Sequence, residues 1–420
     1  MKPYPEYKET DLAWLPKIPK HWNWVMLSQI ATEQCSRNTE RTENNVLSLS
    51  YGHVIRKKNL YSGLSPQDYG TYQIICSGNI IMRLTDLQND HRSLRTGLVE
   101  ERGIITSAYT CLRTDHNPAF LHYLLHSYDV KKVFYGLGGG VRQSIGFKDI
   151  RGLRFPLPSP EEQAQIVRYL DAMTAKINKL IRAKKKQIAL LQEQKQAIIN
   201  QAVTKGLDPH AEMKDSGIDW LGKIPKHWTT CKVKNLGQFR AGINLTAQEI
   251  MDTGLYPVYG GNGLRGYYNQ YLYDGQYLLI GRQGALCGNI HIVSERFWPT
   301  EHAVAVKVNS KFNIGWTFYL LTTMNLNQYA TASAQPGLAI EKIKSVETLC
   351  IDIDEQIAIV EYLNKQCADI DMLIAQFEKE IDFVTEYKNS LISSAVTGQI
   401  DLRNITVESI VPNDFFFRRT

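Results

Sequence analysis

Two long segments of the chain carry mostly apolar residues at alternating intervals of three and four positions. In the first segment this spacing runs over residues 167–202, and in the second it runs over residues 360–395. A repeat that is sustained for about five heptads is typical of the seam of a coiled coil. The pattern therefore predicts two long helices, each packed along one apolar stripe.

Local signals mark the ends of both helices. Ser159 and Asp352 precede the repeats and are followed by acidic residues, as a helix N-terminus favours. Gly206 and Gly398 follow the repeats, and glycine commonly ends a helix. At ~1.5 Å per residue, each predicted helix would be about 65 Å long.

The two predicted helices differ in charge. Residues 161–208 contain nine Lys or Arg and five Asp or Glu, whereas residues 354–401 contain three and ten. Opposite charges favour pairing of the helices with each other over self-pairing. An antiparallel pair would give the molecule an internal pseudo-twofold axis. The alternative is two independent helices that each bind another subunit, and we favour the intramolecular pair.

Several motifs occur twice in the same order. WLPKIPKHW at residues 14–22 matches WLGKIPKHW at residues 220–228, and then EQAQIVRYL matches EQIAIVEYL and AVTKGLD matches AVTGQID. The regions between them, about residues 23–158 and 229–351, show little resemblance to each other. The chain is therefore a duplicated frame that holds two different inserts.

The duplicated nonamer combines aromatic, proline and basic residues. We interpret it as a docking segment that leads the chain into each insert, with Trp22 and Trp228 packed at its base. The alternative is that both tryptophans serve only as anchors of a hydrophobic core.

Both inserts mix short strand-like runs with one helix. The first contains NVLSLSYGHVI and YQIICSGNIIMRL, then a helix capped by Asn117 with Pro118 in its first turn. The second contains YPVYGGNGLRGYY, QYLLIGRQGALCGNIHIV and HAVAVKVNS, then the helical run IGWTFYLLTTMNLNQYA. Both are expected to be α+β domains of one type. The predicted order is a domain with its docking segment at 1–158, a helix at 159–208, a second domain at 209–351, a second helix at 352–403 and a tail at 404–420.

The composition is that of an ordinary globular protein, with 43% hydrophobic and 21% charged residues. No run approaches the roughly 20 apolar residues that span a bilayer, and the N-terminus lacks the apolar stretch of a signal peptide. The seven cysteines are scattered and never form CxxC, which favours reduced thiols. We therefore expect a cytoplasmic protein without membrane association. Its net charge of +6 is compatible with an anionic partner.

No motif in the sequence supports catalysis. The NPAF run at residues 117–120 has alanine where amino-methyltransferases carry a second proline, so a helix cap fits it better. The YGGNGLRG run lacks the GK[ST] ending of a phosphate-binding loop. His122 and His126 share a helical face but lack the glutamate and third ligand of a zinc site, so core or surface roles fit them better. We expect no enzymatic activity, metal or cofactor in this chain.

Basic and amide side chains lie on predicted loops of both inserts. Such side chains contact guanine and adenine edges, and Arg and Lys also contact phosphate. The net charges are +5 over residues 22–158 and +3 over residues 228–351. The candidate DNA-contacting residues are Arg56, Lys57, Lys58, Arg83, Asn89, His91, Arg92, Arg95, Arg142, Gln143 and Ser144 in the first insert, and Asn262, Arg265, Arg282, Gln283 and Gln335 in the second.

The whole arrangement resembles the specificity subunit of type I restriction–modification systems. The resemblance is carried by the duplicated KIPKHW, the helix starts EEQAQIVRYLD and DEQIAIVEYLN, and the ends AVTKGLDP and AVTGQIDL. Within the inserts, RLTDLQNDHRSLRTG, ITSAYTCLR, YPVYGGNGLRGYY and GRQGALCGNI are similar to the family's target-recognition domains. The resemblance implies an α+β fold with two pseudo-symmetric target-recognition domains joined by two long antiparallel coiled-coil helices.

The resemblance also implies a function. Such a subunit would be non-catalytic and would recognise a bipartite double-stranded DNA target, one half per domain, with the helices as spacer. The implied partners are two modification subunits that methylate adenine with S-adenosylmethionine and two restriction subunits that use ATP and Mg. None of these cofactors would bind this chain.

Two functions from other classes stay open at this point. The chain could be a protein-binding coiled-coil scaffold without DNA recognition, which the salt dependence of DNA binding would distinguish. It could also be a cryptic methyltransferase, which would require the isolated chain to bind S-adenosylmethionine. We favour the DNA-specificity subunit over both.

Overall fold

The computed structural model of the chain describes residues 2–57, 68–87, 94–137, 145–284, 286–330 and 337–405. The chain forms two compact units, which we call unit 1 (Met1–Lys184 with Lys379–Thr420) and unit 2 (Lys185–Glu378). Each unit contains one insert domain and a part of each long helix. Among the described residues, no helix is both long and apolar enough to cross a membrane.

Unit 1 begins with an antiparallel hairpin and continues into a mixed domain. Its described strands are β1 (Tyr7–Leu12), β2 (Leu15–Pro19), β3 (Asn23–Met26), β4 (Thr32–Glu33), β5 (Ser36–Arg37), β6 (Leu47–Ser50), β7 (His53–Arg56), β8 (Gln73–Ile75), β9 (Ile80–Met82), β10 (Thr96–Leu98), β11 (Gly103–Ile105), β12 (Thr110–Arg113) and β13 (Arg154–Leu157). Its helices include α1 (Leu27–Ile30), α2 (Pro118–Val130), α3 (Phe147–Ile150), the first part of α4 (Pro160–Lys205) and the last part of α7 (Ile353–Val396).

The domain of unit 1 is built on two small sheets, with strand orders β10-β9-β12-β4 and β11-β8-β5. The strands β6 and β7 form a separate hairpin, and Val46, just before β6, pairs in parallel with Ile104 of β11. The helix α2 contacts β10. The side chain of Asn117 accepts hydrogen bonds from the amides of Ala119 and Phe120 at 3.1 Å, so the predicted helix cap is confirmed.

Unit 2 repeats this plan. Its described strands are β14 (Met213–Asp215), β15 (Lys223–Pro225), β16 (Thr229–Lys232), β17 (Gly237–Ala241), β18 (Tyr256–Gly260), β19 (Gly263–Tyr268), β20 (Gln276–Gly281), β21 (Ile290–Ser294), β22 (Trp298–Pro299), β23 (Ala303–Val308) and β24 (Glu347–Cys350). Its helices include α5 (Ile314–Thr323), α6 (Ile340–Ser345) and the first part of α7 (Ile353–Val396).

The four-stranded sheets of the two domains share one strand order. The sheet β17-β23-β20-β21 of unit 2 has the order of β4-β12-β9-β10 in unit 1. In unit 2, Val258 of β18 pairs in parallel with Trp298 of β22, as Val46 pairs with Ile104 in unit 1. The hairpin β18–β19 therefore corresponds to the hairpin β6–β7. The predicted pseudo-symmetric α+β domains are confirmed, although the two inserts have little sequence in common.

The long helices run antiparallel within each unit. In unit 1, Lys184 of α4 forms an ion pair with Glu380 of α7 at 2.7 Å. In unit 2, Lys195 of α4 forms an ion pair with Asp371 of α7, also at 2.7 Å. Both pairs join the basic helix to the acidic helix. The intramolecular pairing that we favoured is confirmed, in place of two independent helices.

The predicted seam is buried or half-buried along both helices. Ile166 is fully buried in the core of unit 1, whereas its neighbour Val167, the first residue of the predicted seam, is half-buried. The beginning of α4 packs on the domain as well as on α7, which widens its buried face. Gly206 and Gly398 follow the helices with φ of +77° and +71°, a left-handed conformation that glycine adopts most easily.

In unit 2, the nonamer lies where one long helix ends and the other begins. The indole nitrogen of Trp228 donates to Oε2 of Glu355 in the first turn of α7 at 2.9 Å. His227 Nε2 lies 3.0 Å from the same oxygen. A Cβ on Gly206, after the end of α4, would lie 3.3 Å from the Trp228 ring. The nonamer thus joins both helices to the domain.

Unit 1 repeats this junction with the helices exchanged. His21 Nε2 lies 3.1 Å from Oε2 of Glu162 in the first turn of α4. Trp22 is fully buried, and a Cβ on Gly398, after α7, would lie 3.2 Å from its ring. Both tryptophans therefore anchor a hydrophobic core, which is one of our two interpretations of the nonamer.

Candidate nucleic-acid interface

A cleft of about 530 Å³ opens beside the β18–β19 hairpin of unit 2. We call it the hairpin cleft, and it is lined by Gly261, Asn262, Gly263, Leu264, Arg265, Gln283, Gly284, His302 and Gly337. Among these described lining residues none is acidic, and glycine exposes the backbone at four positions. The cleft therefore suits an anionic ligand rich in hydrogen-bonding groups.

A β-bulge directs Arg265 towards this cleft. The register of the β18–β19 pair shifts between Val258 and Tyr259, which leaves Arg265 as the extra residue on β19. Such bulges redirect side chains and are frequent at functional sites. A Cβ on Gly260 would lie 2.5 Å from Cδ of Arg265, so the arginine stem lies directly on the Gly260 backbone. Glycine at position 260 is thus part of what positions the guanidinium.

Two amide side chains accompany Arg265. Asn262 lies in the hairpin loop and accepts a hydrogen bond from the side-chain amide of Asn289 at 3.1 Å, which leaves its own NH₂ group available as a donor. Gln283 is exposed and forms an isolated antiparallel bridge with Gly337. The structure therefore brings together Asn262, Arg265 and Gln283, three residues that the sequence predicted as DNA contacts.

Arg282 is placed differently, although it precedes Gln283. Its Nε donates to the carbonyl of Leu338 at 3.4 Å, and its side chain does not line the hairpin cleft. Its backbone amide donates to the carbonyl of His302 at 2.8 Å and its carbonyl accepts from Leu338 at 2.8 Å. Arg282 thus holds the strand that presents Gln283. The fifth candidate of this domain, Gln335, lies outside the described residues.

In unit 1 the described candidates lie in different surroundings. Arg56 ends β7 and donates through Nε to the Glu101 carboxylate at 2.8 and 3.0 Å, and this ion pair raises the arginine's pKa. Lys57 follows it, and Arg83 follows β9. The other candidates, Lys58, Asn89, His91, Arg92, Arg142, Gln143 and Ser144, lie outside the described residues.

Arg95 corrects one of our predictions. It has no exposed surface, and its guanidinium donates to the carbonyls of Thr85 and Asp86 at 2.6 and 3.2 Å. Its Nε donates to the Tyr135 hydroxyl at 3.2 Å, and its backbone amide donates to Asp129 at 2.7 Å. Such a buried, fully engaged arginine organises the protein backbone and cannot reach DNA in this conformation.

The paired histidines of α2 belong to the protein interior. Burial lowers the pKa of both His122 and His126 to about 4, so both are neutral near pH 7. His126 Nε2 lies 3.4 Å from the side chain of Asn389 on α7. Within the described part of the chain, no group of three or more His, Cys, Asp or Glu is placed to bind a metal ion.

Sequence reasoning missed part of the cleft. His302 lines it from the position just before β23, and Leu264 presents a side chain that is 54% exposed beside Arg265. The motif GGNG signalled a tight hairpin turn, which could have placed Leu264 next to the loop. Nothing in the sequence indicated His302, because the strand pairing of β23 with β20 brings it there.

Together these features define a duplicated α+β protein in which antiparallel helices link two domains of the same topology and one domain presents an arginine-bearing cleft. The family model for the type I restriction modification DNA specificity domain matches residues 105–190 and 225–381, more than half of the chain. The chain therefore belongs to this family and is a specificity subunit of a type I restriction–modification system.

Individual relatives agree with this assignment. The EcoprrI specificity subunit of Escherichia coli is 48% identical over 141 residues, a match that covers 32% of this chain and about a third (35%) of that protein. The MjaVIII specificity subunit of Methanocaldococcus jannaschii is 24% identical over 363 residues, with 79% of this chain and 82% of that protein covered. A solved chain from a study of type I system assembly shares the fold, with a TM-score of 0.65 and 15% identity over 91% of this chain and all of that one.

Proposed function

We propose that this chain recognises a bipartite double-stranded DNA target, with one half-site bound by each domain. The observation that carries the proposal is that two domains whose four-stranded sheets have the same strand order present different residues on equivalent hairpins. Similar scaffolds with unlike binding residues are suited to two unlike DNA sequences. Two domains on one chain would also make the second contact effectively intramolecular, which raises affinity.

The hairpin cleft has the chemistry of direct base recognition. Arginine contacts the O6 and N7 atoms of guanine in two hydrogen bonds, while asparagine and glutamine make the equivalent pair of bonds to adenine. Arg265 is exposed beside Leu264, whose apolar side chain could contact a thymine methyl group. The site would therefore distinguish base pairs as well as bind the phosphate backbone.

The proposed partners are two modification and two restriction subunits. Exposed apolar side chains on the long helices, such as Met372 at 68% and Phe383 at 59%, support protein docking on this part of the chain. S-adenosylmethionine, ATP and Mg would then be bound by these partners, which carry out methylation, translocation and cleavage in the cytoplasm. This chain would select the DNA sequence on which they act.

Mapping methylated adenines across the genome, in cells that express the modification subunits with and without this chain, tests the proposal. We expect methylation that depends on the chain at a motif of two defined halves separated by an indifferent gap. A single contiguous motif would contradict two-domain recognition. Affinity of the complex for the mapped duplex should also fall steeply with salt, which a protein-binding scaffold would not show.

Replacing Arg265 by alanine is expected to relax specificity in one half-site by about 1–3 kcal/mol. Binding to a panel of duplexes with single base-pair substitutions measures this loss of discrimination. Gly260→Ala should reproduce part of the effect, because the added methyl would displace the arginine stem. Equal weakening of binding on every duplex would instead identify Arg265 as a phosphate contact.

A further inference from the structure

Tyr51 occupies the tip of the β6–β7 hairpin in unit 1. Ser50 pairs with His53, so Tyr51 and Gly52 form a two-residue loop. The φ angles of the two loop residues are +48° and +81°. The Tyr51 side chain is 86% exposed, the largest exposed fraction among the large hydrophobic residues that the structure describes. An aromatic ring therefore stands in solvent at the end of a β-ribbon.

The hairpin itself does not require a tyrosine at this position. Positive φ is uncommon for a bulky side chain, and Asn or Gly adopt it at lower cost in such turns. Among the described residues, no hydrogen bond or ring contact engages the Tyr51 side chain. A strained backbone that carries an exposed ring indicates a role outside the stability of the fold.

The strands behind the tip are held firmly by the domain. A Cβ on Gly97 of β10 would lie 2.5 Å from Cδ1 of Leu49 and 3.0 Å from Cγ2 of Val54, so β10 contacts both strands of the hairpin closely. At the far end of β7, Arg56 is fixed by its ion pair with Glu101. The tip is thus presented on an ordered support, which lowers the entropic cost of binding.

The position of this hairpin in the fold connects it to the DNA interface. It corresponds in topology to β18–β19, because Val46 and Val258 make the same parallel pairing to the strand before β12 and β23, respectively. The unit 2 hairpin carries Asn262 in its two-residue loop and Arg265 on its second strand. The loop position of Asn262 is filled in unit 1 by the Tyr51–Gly52 turn.

We propose that the β6–β7 hairpin enters the major groove of one DNA half-site and that the Tyr51 ring contacts base pairs there. The major groove, about 12 Å wide, admits a two-stranded β-ribbon, and an apolar ring can contact the methyl group of thymine. This inference rests on the proposed function and adds a recognition residue in the first domain that differs in chemistry from Asn262 and Arg265 in the second.

The test compares Tyr51→Gly with the unaltered chain in the complete methyltransferase complex, on a duplex that carries the mapped methylation motif. Glycine adopts the positive φ readily, so the melting temperature should change little. Affinity for the duplex should fall about tenfold, as expected for loss of one base contact. Tyr51→Phe keeps the ring and should bind as the unaltered chain does.

The outcomes separate this inference from the proposed function. If the unaltered complex binds the motif specifically and Tyr51→Gly binds it equally well, the Tyr51 contact is wrong and the proposed function stands. Equal weakening of Tyr51→Gly on duplexes without the motif would also overturn a base contact. If the unaltered complex does not distinguish the motif from other DNA, the proposed function itself is wrong.

Discussion

Replacement of Trp228 by alanine is expected to lower the free energy of unfolding by about 3–5 kcal/mol. The indole is almost completely buried in the core of unit 2. It packs beside Gly206 at the end of α4 and donates to Glu355 in the first turn of α7. Alanine would leave a cavity at this junction and would also remove the hydrogen bond that Glu355 accepts.

Urea unfolding followed by circular dichroism measures this change. The matched control is Trp220→Ala at the other end of the same nonamer, because Trp220 is half-buried and donates only to the carbonyl of Glu347 at 3.3 Å. The control should lose clearly less stability. Equal losses in the two variants would mean that the junction with the helices does not depend on Trp228.

Inserting one heptad into each long helix is expected to lengthen the gap in the recognised DNA motif. The insertions would follow Lys184 in α4 and Glu378 in α7, where the boundary between the units falls. Seven residues add about 10 Å of helix, which is the length of about three base pairs. A whole heptad keeps the apolar seam in register, so each unit should still fold.

Methylation mapping gives the result of this experiment directly. The two half-sites should keep their sequences, while methylation at the original spacing should disappear. A three-residue insertion in α4 alone provides the control, because it shifts the seam and should lower stability rather than produce a new spacing. An unchanged gap in the heptad variant would show that the helices do not set the distance between the half-sites.

The long helices were the part of the fold that the sequence predicted best. Their seam repeats over many turns, so single exceptions such as Lys184 and Lys195 do not obscure it, and both lysines form ion pairs to α7. The prediction of the buried face was less accurate at the start of α4, where Ile166 is buried more completely than Val167. The heptad pattern describes contact with one partner helix and does not include the domain that also packs there.

The binding residues were harder to predict, because burial and pairing are set by distant parts of the chain. Arginine is a residue type that commonly contacts DNA, yet Arg95 is buried and donates hydrogen bonds to the backbone carbonyls of Thr85 and Asp86. Arg56 is paired with Glu101, which lies 45 positions further along the sequence. In contrast, the surface placement of Arg265 could be predicted, because its hairpin is local and the glycine-rich turn is visible in the sequence.

The junction between a long helix and the following hairpin is built in two ways. In unit 2 residues 206–212 connect α4 covalently to β14. In unit 1 the segment after α7 meets β1 without such a link, through hydrogen bonds from Asp401 N to Lys2 O at 2.9 Å and from the Tyr7 hydroxyl to Gly398 O at 3.1 Å. Hydrogen bonds thus hold the two segments together in unit 1. We expect a chain that is cut between α4 and β14 to keep its two pieces associated through the corresponding contacts of unit 2, such as the packing of Trp228 on Gly206.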